Sequence, residues 1–130
     1  MKKAVITYIL DGYDRLKDPA VVTPGWDYLC FSDDDFGSEI WKPLPLPPSP
    51  FGTICPKRRT SLLKIQHFDY VSEDYDLVMT LDGSMTINCN LDAFLDEFWT
   101  DQTDLLIARH FERNCLYAEA KAVLVLPQTE

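Results

Sequence analysis

The sequence predicts an α/β fold, a three-layer α/β/α sandwich around a mostly parallel sheet, and three observations predict it. A β-branched and aromatic run opens the chain at residues 4–9, as a first central strand often does. Apolar runs of strand length recur at 27–32, 77–82 and 105–108, with helical patterns between the later ones. Strands that alternate with helices bury both faces of a parallel sheet. Finally, no internal repeat and no linker-like composition divides the 130 residues, so a single domain over 1–130 is expected.

Composition narrows the class. Apolar residues make up 46% and charged residues 25%, the proportions of an ordinary globular domain. The formal net charge of −9 argues against nucleic acid and anionic membranes, both of which demand a basic footprint. A phosphorylated small molecule then needs a local basic patch or a metal ion. Lys2 and Lys3 ahead of an apolar run imitate a signal peptide, but the run is short, contains Thr7 and Tyr8, and stops at Asp11. No stretch reaches membrane-spanning length. Cys30, Cys55, Cys89 and Cys115 are scattered without a Cys-x-x-Cys pair, the expectation for reduced thiols in a cytoplasmic protein.

In chain order, the first strand at 4–9 is broken by 11–19, punctuated by Gly12 and Pro19 and rich in charge. The second strand, 27–32, ends on Asp33, Asp34 and Asp35. Three carboxylates in a row are ordinarily a solvated turn; the functional alternative is that Asp33, at a strand's carboxyl end, reads the base or ribose of a nucleotide. Residues 39–44 suit a third, edge-like strand before a run of prolines forbids ladder pairing and makes an extended loop. Residues 56–70 read as a helix with Pro56 in its first turn. Lys57, Lys64 and His67 fall on one side of it, Leu62 and Ile65 point elsewhere, and Arg58 and Arg59 add charge near its start. This is the one concentrated cationic patch of an acidic chain, and it suits a diphosphate; the alternatives are a solvated helix face and, for His67, a structural histidine.

The run 77–82 ends abruptly on Asp82, Gly83 and Ser84. A strand that delivers a carboxylate to its carboxyl end is how open α/β sheets build ligand sites, and glycine lets a backbone turn and a ligand come close. An Asp-Gly pair followed by a second alternating run is equally an ordinary hairpin turn. Beyond it, Asn90 can cap a helix whose Leu91, Phe94, Leu95 and Phe98 form a core-packing stripe. Residues 105–108 read as a further buried strand ending on Arg109 and His110. Residues 115–124 read as a helix that runs toward a short strand at 123–126.

These words, in this order, resemble a family. They are Thr7-Tyr8; Gly12-Tyr13-Asp14 with Leu16 and Pro19; Asp27-Tyr28 through Cys30-Phe31-Ser32-Asp33; Trp41; Arg59, Lys64-Ile65 and His67. Tyr75-Asp76 and Leu81-Asp82-Gly83 follow, then Arg109-His110, Arg113, Cys115, Tyr117 and Glu119. The chain resembles the glycosyltransferase-like proteins formerly catalogued as a domain of unknown function, which include plant proteins of pectin and mucilage biosynthesis. More distantly it looks like the Rossmann-like GT-A fold of nucleotide-diphospho-sugar transferases.

The resemblance implies transfer of a sugar from a nucleotide-diphospho-sugar to an acceptor glycan. By it, Thr7, Tyr8 and Asp33 would hold the nucleoside, and Arg59 and Lys64 would approach the diphosphate. Asp82 would take the first position of the Asp-x-Asp motif that holds Mn²⁺ or Mg²⁺, with His67, Gly83, Ser84 and His110 completing the donor-binding set. The chain departs from the pattern at Ser84, where the second carboxylate would stand, and it stops at Glu130, short of the acceptor-binding half of such transferases. Two other classes compete. Thr80-Leu81-Asp82-Gly83-Ser84 looks like the haloacid-dehalogenase signature, but Thr80 stands in place of the aspartate nucleophile and cannot form its phosphoryl intermediate. A sugar-nucleotide or glycan binding module, or an inactive partner subunit, homo-oligomer included, needs only the binding half of the site.

Overall fold

The computed structural model describes residues 1–48, 51–71 and 74–108, together with Cys115, Tyr117, Ala120, Lys121 and Leu124. Contacts divide the chain into two compact units, Met1–Phe94 and Leu95–Glu130.

The first unit is a small α/β fold. Four strands, β1 (Lys3–Ile9), β2 (Trp26–Ser32), β3 (Lys42–Leu44) and β4 (Leu77–Asp82), form one sheet in the order β3-β2-β1-β4. Every pairing is parallel. Parallel strands hide both faces, and β1 and β2 read accordingly, with nearly every residue buried. The strands at 4–9, 27–32 and 77–82 are where the β-branched and aromatic runs place them. The expected strand at 39–44 shrinks to three residues at the sheet's edge, where Pro43 lacks no ladder bond it is obliged to make.

Alternation along the strands sorts two cores. Ala4, Ile6, Tyr8, Leu29 and Phe31 share one face and pack with Phe51 and with Leu63 of α1 (Pro56–Gln66). Val5, Thr7, Tyr28 and Cys30 share the other, where Tyr28 donates to no ring but meets Trp41 edge-on at 5.5 Å and accepts the Thr23 N–H at 2.9 Å. Burial pushes the Cys30 thiol up to about 12, so it stays protonated and inert. Thr23 in turn accepts the Leu91 N–H at the start of α2 (Leu91–Phe98), while the Asn90 side chain accepts from Ala93, the expected cap.

Three expectations need correction. The helix read over 56–70 stops at Gln66 and tightens into a 3₁₀ turn, His67–Asp69, and His67 is buried there. β4 itself stands where expected and is half-buried, because among the described residues it is an edge strand paired on β1 alone. Residues 105–108 form no strand; Leu105 and Ile107 are 74% and 76% exposed. A run of four apolar residues carries no periodicity that separates strand from coil. In the second unit, Tyr117, Ala120, Lys121 and Leu124 are helical, in line with a helix over 115–124 and against a strand at Leu124; the rest of 123–126 lies outside the described residues.

The start of α2 is locked to the sheet electrostatically. Asp92 accepts from the Lys3 ammonium at 2.5 Å and from the Trp26 indole at 2.8 Å, and these bonds hold its carboxyl below the usual carboxylate value of about 3.9. A depressed pKa in the folded state contributes stability above the unfolded value and loses it as pH falls through the folded one. Asp92→Asn is therefore expected to lower the melting temperature at pH 7, with the gap to wild type closing below about pH 4. Thermal melts across pH 3–7 check this, and a gap independent of pH would remove the ionic account.

Candidate functional site

The carboxyl edge of a parallel sheet gathers strand ends from several elements, and here it gathers charge. β1 ends in a tight turn in which the Tyr13 N–H donates to the Leu10 carbonyl at 3.2 Å. Asp11 and Gly12 both have positive φ, 59° and 61°, as a mirror-image turn requires. Aspartate tolerates that region better than most side chains, and the cost is offset by Asp33 from the end of β2. Both Asp33 carboxylate oxygens accept the Asp11 N–H, at 3.0 and 3.1 Å. Asp33 also faces the Arg59 guanidinium of α1, 3.8 Å away. Arg59 lies over the Phe51 ring at 5.7 Å, and its buried Nε has no hydrogen-bond partner among the described residues.

One strand further, Asp82 stands in register with Tyr8, so its side chain shares the α1 face. There it forms an ion pair with Lys64 of α1, about half-exposed on both sides. A pair so open to water contributes ~0–1 kcal/mol, so neither partner is firmly committed to the other. Tyr8 itself is buried and stacks on Phe31, ring centroids 5.8 Å apart. Burial raises its hydroxyl well above the ordinary value, and that hydroxyl has no partner among the described residues. The α1 face of the edge thus carries two cations, two carboxylates and an unsatisfied phenol.

The turn Asp82-Gly83-Ser84 is closed by the Met85 N–H donating to the Asp82 carbonyl at 3.0 Å. It is a turn but not a hairpin: β4 pairs in parallel with β1, and residues 85–90 form no return strand. Instead they cross over the end of β1, tied by Ala20 N–H to the Ile87 carbonyl at 2.8 Å and by Lys17 Nζ to the Ser84 carbonyl at 3.0 Å. Gly83 is required by this crossing. A Cβ there would sit 2.7 Å from Ile9 Cγ1 and 2.8 Å from the Tyr8 carbonyl oxygen, closer than atoms can pack. The close neighbour of this glycine is the chain's own first strand.

The remaining residues singled out in the sequence fall as follows. Thr7 is buried and donates its hydroxyl to the Leu81 carbonyl at 3.0 Å, clamping β1 to β4 from the other face. His67 is buried at the end of α1; its Nδ1 is 3.1 Å from the Lys64 carbonyl oxygen, which can only accept, so that nitrogen carries the proton. Its ring lies against Phe68, and its contacts are local to that corner. The Ser84 carbonyl serves Lys17, and its side chain is exposed. His110 lies outside the described residues. The structure therefore brings Tyr8, Asp33, Arg59, Lys64, Asp82, Gly83 and Ser84 to one edge and leaves Thr7 inside the sheet and His67 at the end of α1.

A cavity of about 420 Å³ also opens at this edge, and the sequence reading did not single it out. It is lined by Ile9 and Ser32, cross-strand partners that point away from the α1 face, and by the loops at 14–18 and 34–38. Asp14, Asp18, Asp34 and Asp35 outnumber its single cation, Arg15. Ser38 Oγ donating to Asp18 at 2.6 Å and the Trp41 indole donating to the Lys17 carbonyl at 3.0 Å hold the two loops. The signal was present as two charged loops following two adjacent strands; what was missing was their convergence, which only the register supplies. Carboxylates accept hydrogen bonds from hydroxyl groups and repel phosphate, so the cavity suits the polyol part of a ligand and the α1 face its anionic part.

A divalent ion is the group the family resemblance places at Asp82. Such an ion takes about six oxygen ligands, and a resident one needs several from the protein. Asp82 offers one carboxylate, already opposed by the Lys64 ammonium, and among the described residues no group of three His, Cys, Asp or Glu side chains converges. These residues do not fit a protein-held ion.

No family model matches the chain, and no curated protein or solved structure matches it either.

Gly83→Ala is expected to destabilise the fold by about 1–3 kcal/mol, the usual cost of forced overpacking. Urea denaturation measures it, and an unchanged midpoint would mean that the crossing at β1 has room to spare.

Proposed function

We propose that the chain binds a nucleotide-diphospho-sugar at the carboxyl edge of its sheet and serves glycosyl transfer from it to an acceptor glycan. The observation that carries this reading is the convergence of Arg59 and Lys64, from one helix, on the ends of β2 and β4 in an otherwise acidic protein. Two cations a little over one helical turn apart on α1 suit the two phosphates of a diphosphate. The ordered family words supply the sugar-nucleotide identity, and the strand order β3-β2-β1-β4 supports the finer expectation of a Rossmann-like GT-A sheet. The acidic cavity beside Ile9 and Ser32 would take hydroxyl groups of ribose or sugar.

In transfer, the bond from the anomeric carbon to the diphosphate oxygen breaks, and negative charge grows on the departing nucleoside diphosphate. Lys64 and Arg59 are placed to stabilise that charge, and the Tyr8 hydroxyl, kept protonated by burial, is a further donor on the same face. Mn²⁺ or Mg²⁺, where the diphosphate brings it, would supply the same kind of stabilisation. A second reading, a sugar-nucleotide or glycan binding module without turnover, rests on Ser84, which leaves the turn with one carboxylate. The unpaired thiols of Cys30, Cys55 and Cys89 accord with the cytoplasmic setting proposed for either reading. Among the described residues no helix is long and apolar enough to cross a membrane.

Calorimetric titration with uridine and guanosine diphospho-sugars, with and without Mn²⁺, is expected to give saturable binding that Arg59→Ala weakens about tenfold. Binding accompanied by release of nucleoside diphosphate in the presence of acceptor glycans indicates transfer; binding without release indicates the module. Absence of binding to every nucleotide tried would overturn both.

A further inference from the structure

We propose that Lys64 takes the place of a metal ion in this site: the diphosphate is held by the ammonium itself, and Asp82 is the ammonium's resting counter-ion. The inference rests on the diphosphate reading above and names how that site handles charge. Three observations lead to it. Asp82, the residue from which the family resemblance would hang a cation, already faces a cation built into the chain. The position two residues on is Ser84, exposed and without charge, with its carbonyl engaged by Lys17. Among the described residues Arg59 keeps a buried donor, Nε, without a partner, and the Tyr8 hydroxyl, of the residue in register with Asp82, is a second buried donor in the same condition.

The chemistry is an exchange of partners. An exposed carboxylate–ammonium pair is weakly held, whereas a diphosphate presents several charged oxygens to the same ammonium and to the Arg59 guanidinium of the same helix. On binding, Lys64 moves from Asp82 to phosphate, and Asp82 is left exposed to water, which costs little because it is more than half-exposed already. Asp82 then acts as a positioning residue: it holds Lys64 over the strand ends before the ligand arrives, and it opposes anion binding by its own charge. A metal-holding Asp82 would do the reverse, since there the carboxylate is indispensable to affinity.

That opposition in sign makes the test. Wild type, Lys64→Ala, Lys64→Arg and Asp82→Asn are titrated with inorganic diphosphate by calorimetry after exhaustive chelation, and again with Mn²⁺ or Mg²⁺ added. The expected result is binding by the chelated wild type, weakened about tenfold or more in Lys64→Ala, largely kept in Lys64→Arg, and tightened several-fold in Asp82→Asn. Lys64 and Asp82 are both half-exposed, and circular dichroism verifies that each variant folds. No binding until a divalent ion is added, or loss of binding in Asp82→Asn, overturns the proposal. So does Lys64→Ala binding as wild type does. Binding of inorganic diphosphate with no gain from any nucleotide-sugar would leave this charge assignment standing and sink the sugar-nucleotide function instead.

Discussion

The carboxyl edge of the sheet depends on one steric constraint, the passage of the chain at Gly83 across the end of β1. With Tyr8 carbonyl and Ile9 side-chain atoms under 3 Å from where a Cβ would be, only glycine passes. The crossing fixes where β4 stops and keeps Asp82 on the α1 face beside Tyr8. It also presents the Ser84 carbonyl to Lys17 and sends residues 85–90 over the other face, where Ile87 is buried and Leu91 begins α2. Remove the crossing and Asp82 loses its register with Lys64, while the loop at 14–18 loses its tie to the turn. A short-range contact between backbone atoms thus governs the geometry of charges that belong to four different elements.

Those charges are distributed so that the α1 face is balanced and the cavity face is acidic. On the α1 face every carboxylate is opposed by a cation, Asp33 by Arg59 and Asp82 by Lys64, and buried donors on Arg59 and Tyr8 remain unsatisfied. An unsatisfied buried donor costs about 1–3 kcal/mol, which a ligand oxygen can recover. On the cavity face the carboxylates prevail, with Arg15 in the lining and Lys17 paired to Asp14 at 3.7 Å. The cavity face therefore disfavours an anion, whereas the α1 face offers cations whose present partners are carboxylates. A ligand with a phosphate end and a polyol end matches the whole edge better than either a simple anion or a neutral sugar does.

How much of this the sequence disclosed follows from the range of the forces involved. The three long strands were legible because local β-propensity and burial agree there: 4–9, 27–32 and 77–82 are β-branched or aromatic runs bounded by charge or glycine. Asn90 was legible as a cap because capping is a local hydrogen bond. His67 was read with the cationic residues because helical spacing was extended through it, whereas α1 ends at Gln66 and the ring is buried. Leu105 to Ile107 were misread because apolar composition says what could be buried, and a strand also needs a partner edge. The acidic cavity was invisible because Asp14 and Asp34 are brought together by the pairing of β1 with β2, a fact of register. Asp33, read in the sequence as a strand-end carboxylate for a ligand, supports the backbone of Asp11 in the fold.

The same distinction bears on what Asp82 means. In sequence, an Asp-Gly-Ser turn after a strand is judged by what is missing, a second carboxylate at position 84, and the site looks like a metal motif worn down to half. In the fold the relevant neighbour is eighteen residues earlier, on a helix, and it is a lysine. A divalent ion held by two carboxylates and an ammonium held by one are alike in charge balance: each leaves no net charge at the strand end, and each presents a cation to an incoming phosphate. A second carboxylate at 84 would add negative charge beside Asp82, where the nearest cation, Lys17, already holds the residue 84 carbonyl. On the proposal that Lys64 meets the phosphate, no second carboxylate is needed at 84, and the uncharged Ser84 accords with it.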